Sequence, residues 1–233
     1  MELDFRATSF DQKMNESLSK AEESSPVLQP KGPQTFTNTP STVNKVLFLF
    51  PPAYTIKSSR DINPLPPIGL GILASVLEKK NYEVKILDCL VRGWNQEEES
   101  PTNKGIVRVG LTNDQIKKYI QKYQPDVVGV SCMFSVQHKI YPQIFSTIKS
   151  INPSITTVAG GAHVTVCPKK VLEDPNCDFI IAGEGEESIV DFLEAIQGRK
   201  SFESVDGLGW IKENSEHTLN PKLKWLEDLD SLP

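Results

Sequence analysis

The 233-residue chain is 38% hydrophobic and 24% charged, with a net charge of −5 and a pI near 5.4. This acidic balance removes the electrostatic reason to expect nucleic acid or an anionic membrane as partner. No apolar run reaches bilayer-spanning length and the N-terminus lacks a signal peptide's apolar stretch, so a cytoplasmic protein without a membrane span is expected. Cys89, Cys132, Cys167 and Cys177 include no close pair, form neither a zinc framework nor an iron–sulfur motif, and suit a reducing compartment.

Residues 1–44 are polar, rich in Ser, Thr, Pro, Asn and Glu, and read as a disordered tail. An α/β domain is expected over residues 45–200. Its first strand is Val46–Phe50, apolar throughout and therefore central. Pro51-Pro52 stops it, and a loop from Ala53 to Leu65 carries Tyr54, Lys57, Arg60 and Asp61. Pro66-Pro67 opens a helix with Leu70, Leu73, Val76 and Leu77 as its stripe. Gly69 and Gly71 near its start fit either close approach of the sheet or a ligand, or tight packing alone. A second strand, Tyr82–Leu87, leads to a long polar connection from Cys89 to Gly110, expected to be an exposed insertion. Thr112-x-x-Gln115 is a capping box for a helix striped by Ile116, Tyr119, Ile120 and Tyr123. The third strand is Val127–Ser131, followed by Cys132-Met133-Phe134-Ser135 and a helix with Tyr141, Ile144, Phe145 and Ile148 inward.

Two further apolar runs, Thr156–Ala159 and Phe179–Ala182, each stop at a glycine turn. These turns are Gly160-Gly161-Ala162-His163 and Gly183-Glu184-Gly185-Glu186, the second opening a helix with Ile189, Phe192, Leu193 and Ile196 on one face. Residues 201–233 read as a β-hairpin around Gly207–Ile211 and Thr218-Leu219, then a charged linker. Five β–α units predict a flavodoxin-like, Rossmann-like three-layer α/β fold with a five-stranded parallel sheet in the order 2-1-3-4-5, plus the C-terminal hairpin. The ligand crevice then lies over the ends of strands one, three, four and five. A glycine turn at a helix N-terminus ordinarily suits phosphate, but Glu184, Glu186 and Glu187 occupy this one. The turn therefore suits a ligand offering hydroxyls or amide NH2 groups; the acids equally satisfy the helix end on their own.

Taken in order, Pro66-Pro67-x-Gly69-Leu70, Val127-x-Gly129-x-Ser131, Gly160-Gly161-x-His163 and Gly183-Glu184-Gly185-Glu186 resemble the cobalamin-binding domain that precedes the barrel of cobalamin-dependent radical S-adenosylmethionine (SAM) enzymes. The resemblance runs from about Lys45 to Pro233, whose Trp225–Pro233 looks like the linker into that barrel. It implies cobalamin as cofactor, with Ser131 touching its dimethylbenzimidazole tail. Gly160 and Gly161 let that tail lie against backbone, where a Cβ clashes. Gly183 to Glu186 border the corrin or its nucleotide, consistent with an acidic turn facing the corrin's amide side chains. Gly69, Leu70 and Cys132 complete the implied contacts.

Methionine-synthase-like cobalamin domains carry Asp-x-His-x-x-Gly after the first strand, whose histidine ligates cobalt. The loop Ala53–Leu65 holds no histidine, so no protein imidazole on cobalt is expected and no metal ligand is assigned; Tyr54 is the candidate for the place beneath the metal. His163 follows the fourth strand rather than the first, which favours contact with the tail or a capping role. Cys132 reads as a small buried hydrophobe rather than a nucleophile, having no basic neighbour. The Cys-x-x-x-Cys-x-x-Cys that binds a barrel's iron–sulfur cluster is absent, so no catalytic residue is assigned. SAM, the [4Fe-4S] cluster and the barrel itself belong to another domain, joined in cis or in trans. The resemblance leans toward methyl transfer as the parent reaction. A sensor or partner-binding module on the same architecture is the alternative. A phospho-receiver fails because Pro51-Pro52, Ser131 and Gly183 stand where its acids and lysine belong, and a dinucleotide enzyme fails for want of Gly-x-Gly-x-x-Gly.

Overall fold

The computed structural model describes residues 42–58, 62–100 and 103–233. The expected tail lies almost wholly outside the described residues, as do Arg60 and Asp61. In chain order the elements are β1 (Lys45–Phe50), β2 (Ala53–Ile56), α1 (Ile68–Glu78), β3 (Glu83–Asp88), α2 (Cys89–Arg92), β4 (Glu97–Glu99), β5 (Ile106–Val109), α3 (Asn113–Tyr123) and β6 (Val127–Ser131). There follow α4 (Ile140–Ile151), β7 (Thr156–Gly160), α5 (Ala162–Val166), α6 (Pro168–Leu172), β8 (Phe179–Ile181), α7 (Glu186–Ile196), β9 (Leu208–Ile211) and β10 (His217–Leu219).

The parallel strands are ordered β3-β1-β6-β7-β8, the expected 2-1-3-4-5. The sheet does not stop there. β9 pairs antiparallel with β8, Phe179 opposite Trp210 and Ile181 opposite Leu208, and β10 pairs with β9. The hairpin thus extends the sheet to seven strands instead of standing apart from it. Phe202 packs its ring on Phe179 and Trp210, so the added strands share the core of the parallel ones.

Strand alternation divides the core into two layers. Val46 and Phe48 of β1 face α1 and α7; Leu47 and Leu49 face α3 and α4. The capping box of α3 forms as the sequence predicts: Gln115 N–H donates to Thr112 Oγ1 at 3.3 Å and Thr112 N–H to Gln115 Oε1 at 2.9 Å. In α1 the buried positions are Leu70, Ala74 and Leu77, while Leu73 is half-buried.

The Ala53–Leu65 loop and the Cys89–Gly110 connection need correction. Together they build a second, antiparallel sheet in the order β2-β5-β4. Cys89, Leu90, Val107 and Val109 are buried, so the connection is no simple exposed insertion. Its polar composition hid this, because Glu97-Glu98-Glu99 has little intrinsic strand preference and is held by pairing with β5. Arg108 is buried as well, its guanidinium donating to Glu98 at 3.0 Å and to Asn113 at 2.8 Å.

Candidate cofactor-binding site

Register fixes the floor and the mouth of a slot at the carboxyl ends of the strands. Phe48, Gly129 and Val158 lie side by side across β1, β6 and β7. Two residues further toward the strand tips, Ser131, Gly160 and Ile181 form the next row. Both rows face α1 and α7. Where large side chains stand, at Phe48, Val158 and Ile181, the sheet meets the helices; where Ser131 and Gly160 stand, it does not. The result is a cavity of about 390 Å³ between the sheet, α1 and α7, within the size range of small-molecule sites.

Glycines shape it in three different ways. A Cβ on Gly129 would lie 2.7 Å from Phe48 Cδ1, so this glycine makes room for the aromatic floor. At Gly160 a Cβ would meet nothing nearer than the Ile181 carbonyl oxygen at 3.8 Å, so its bare backbone leaves space in the slot. Gly161, with φ +108°, would bring a Cβ to 2.9 Å from the Cys132 carbonyl oxygen. That residue is required by the chain's own turn, whatever the ligand.

The slot is largely apolar, with few polar groups. Ser131 is 8% exposed, and among the described residues its hydroxyl makes no hydrogen bond. Glu186, the first residue of α7, lines the cavity; its Oε2 is buried and has no hydrogen-bond partner among the described residues. An acceptor closed off from water without a donor is costly, which marks a place for a ligand's hydroxyl or amide. Glu184 also lines the cavity, but its carboxylate accepts the Leu226 N–H at 2.9 Å. The segment carrying Leu226 is strapped down nearby. Asp206 accepts the N–H groups of Leu223 and Lys224 and pairs with Lys222 at 3.1 Å, and the Lys222 stem lies against Gly183.

Of the residues named from sequence, Gly69, Leu70, Ser131, Gly160, Gly161, Gly183, Glu184, Gly185 and Glu186 line this cavity. Tyr54, Cys132 and His163 are not among its lining and gather on the other side of the sheet. Gln137 clasps the Tyr54 backbone, accepting its N–H at 2.7 Å and donating to its carbonyl at 2.9 Å, while Gln143 donates to its hydroxyl at 3.2 Å. Cys132 is fully buried, and burial pushes its thiol well above the usual range. His163 is 7% exposed, with Nδ1 2.9 Å from Ser135 Oγ and its ring beside that of Tyr141. Its pKa is lowered, first by burial and then by the charge of His138.

Sequence reasoning left out Phe48, Phe50, Leu73, Val158, Ile181 and Ile189, all of which line the slot. Their periodicity places them in strand and helix cores. The signal that finds the sheet residues is register: Phe48 and Val158 flank Gly129, and Ile181 lies beside Gly160. At the mouth, Leu65, Ile68, Met133 and Phe134 also line the cavity and remain exposed.

Comparison with known proteins agrees with this geometry. A family model described as "B12 binding domain" matches residues 62–193, more than half of the chain. Cytidylyl-2-hydroxyethylphosphonate methyltransferase of Streptomyces wedmorensis is 34% identical over 189 residues, covering 79% of this chain and 34% of that protein. The solved structure of the cobalamin-dependent S-adenosylmethionine radical enzyme OxsB with aqua-cobalamin bound matches with a TM-score of 0.59 at 20% identity, over 79% of this chain and 23% of that one. The radical S-adenosylmethionine methyltransferase TsrM of Kitasatospora setae, solved with cobalamin and a [4Fe-4S] cluster, matches with a TM-score of 0.56 at 20% identity, over 77% and 31% of the two chains. The chain thus spans about a third or less of the length of these proteins. With the strand order, the slot at the strand tips and the family match in agreement, this chain belongs to the B12-binding domain family.

Proposed function

We propose that this domain serves a radical SAM methyltransferase, holding cobalamin with its nucleotide tail in the slot and its corrin ring across the strand tips. The residues present fit that cofactor. Ser131 offers a free hydroxyl to the ring nitrogen of the tail base, and Gly160 leaves the base room to lie flat on the strand. Phe48, Val158 and Ile181 exclude water from its rings. Glu186 supplies an acceptor for a ribose hydroxyl or a corrin amide. When bound, cobalamin supplies a cobalt centre that can carry a methyl group; this chain's part is to bind, orient and dehydrate the tail.

The observation that carries this reading is the gap at Gly160 beside the unpaired Ser131 hydroxyl, in walls otherwise apolar. The loop Ala53–Leu65 after β1 holds no histidine, which is the ground for reading a cobalt without a protein imidazole. The similarity to methyltransferases supports methyl transfer as the parent activity, with a radical SAM barrel as partner. That none of the four cysteines is in a disulfide supports a cytoplasmic setting, and no described helix is long and apolar enough to cross a membrane.

Mixing the protein with hydroxocobalamin and desalting tests the reading. Corrin absorbance near one equivalent per chain is expected, and an electron paramagnetic resonance spectrum of the reduced cobalt free of nitrogen splitting. Loss of the corrin on desalting at micromolar protein overturns the cofactor assignment; nitrogen splitting puts a nitrogen base, the cofactor's own or a protein imidazole, on the cobalt and overturns the reading of a tail held in the slot beneath an imidazole-free cobalt.

A further inference from the structure

We infer that the slot selects corrinoids by their lower base, favouring a benzimidazole over a purine. This rests on the cobalamin reading and adds a specificity to it. The direction in which a tail base enters decides which of its groups meet the floor. The glycosidic bond is on the base's five-membered ring, and the ribose, phosphate and corrin stay outside the strand tips. The six-membered ring therefore goes in first and meets the floor.

That floor is the row Phe48, Gly129 and Val158, with Ile189 of α7 above it. No side chain in this set can donate or accept a hydrogen bond. The polar groups of the slot stand nearer the mouth: Ser131 is two residues closer to the tip of β6 than Gly129, and Glu186 begins α7 at the strand-tip end. In dimethylbenzimidazole the leading ring carries only C–H groups and two methyls, which such a floor accommodates. In adenine the leading ring carries two ring nitrogens and an amino group. Each would exchange water for an apolar wall, and groups buried without partners weaken binding. The trailing ring nitrogen of either base reaches the Ser131 level equally, so the floor alone sets the preference.

The test compares dissociation constants of the full chain for cobalamin, for the adeninyl cobamide and for cobinamide, which lacks the nucleotide, by equilibrium dialysis with corrin absorbance. The expected order is cobalamin tightest, with the adeninyl form weaker by about tenfold or more and cobinamide weaker still. Equal or tighter binding of the adeninyl cobamide overturns the selectivity while leaving the corrinoid assignment standing. Cobinamide binding as tightly as cobalamin overturns it too, because the base then contributes nothing. Failure of all three to bind removes the corrinoid reading and this inference with it.

Discussion

On the α3–α4 face of the sheet, Leu47, Leu49, Val128, Val130 and Ala159 alternate with no break and are fully covered. On the α1–α7 face, the same three strands carry Phe48, Gly129, Ser131, Val158 and Gly160, and the outer row leaves a void. The polar residues at the strand tips divide in the same way. Ser135, His163 and Tyr141 satisfy one another or nearby backbone on the closed face. Among the described residues, the Ser131 hydroxyl and one oxygen of Glu186 have no hydrogen-bond partner on the open face. A binding site here is made by withholding side chains and partners from one face of a sheet whose other face withholds nothing.

The strongest way to break this contrast is Gly160→Val. The new side chain fills the void without a clash against the protein's own backbone, since the nearest atom to its Cβ lies 3.8 Å away. Cobalamin affinity is expected to fall at least a hundredfold, with the thermal unfolding midpoint nearly unchanged. Retained corrin on desalting would falsify the placement of the base. Gly129→Ala strikes the floor instead. Its methyl would stand 2.7 Å from the Phe48 ring, and overpacking of this kind typically costs about 1–3 kcal/mol. Urea unfolding should show that loss together with weaker cobalamin binding as the ring is pushed into the slot; an unchanged unfolding midpoint would mean the ring moves freely.

Glu186→Gln tests the unpartnered acceptor. Replacing a charged acceptor by a neutral one is expected to weaken cobalamin binding roughly tenfold, measured by titration, while the unliganded protein loses no stability. Tighter binding by the variant would mean the carboxylate faces no donor. The smallest effect is expected on the closed face, from His163→Gln. The His163 pKa is lowered from its ordinary 6.5 in the folded state, so below that value the unfolded chain binds more protons. Stability is therefore full above 6.5 and falls on acidification through it. The variant should flatten that slope in urea midpoints measured between about pH 7 and 5, and leave cobalamin affinity within about twofold. A large loss of affinity would place the imidazole against the ligand after all.

Much of this was legible from sequence because the informative residues sit at strand ends. Val127–Ser131 and Thr156–Gly160 are continuous runs punctuated by glycine, and such runs declare buried parallel strands. The glycine turns gave the end of the sheet that carries the site. What sequence could not give was the face. Cys132 and Ser131 are adjacent, so strand alternation turns them to opposite sides, and only register across three strands shows that Ser131, not Cys132, opens into the slot. His163 and Gly160 separate because the chain turns at Gly161 out of β7 into α5. The second sheet was illegible for a different one: β4 is three glutamates, and its strand character exists only through pairing with β5.

The strap across the fifth turn has a mechanical consequence. Glu184 stands two residues before Glu186 and grips the Leu226 amide, 42 residues further along the chain, at 2.9 Å. Lys222 rests on Gly183 and also donates to Ser188 of α7 at 3.1 Å. Turn, helix start and the backbone around Leu226 are therefore tied together by polar contacts. Removing the Glu184 carboxylate would therefore loosen the fifth turn and the segment around Leu226 together.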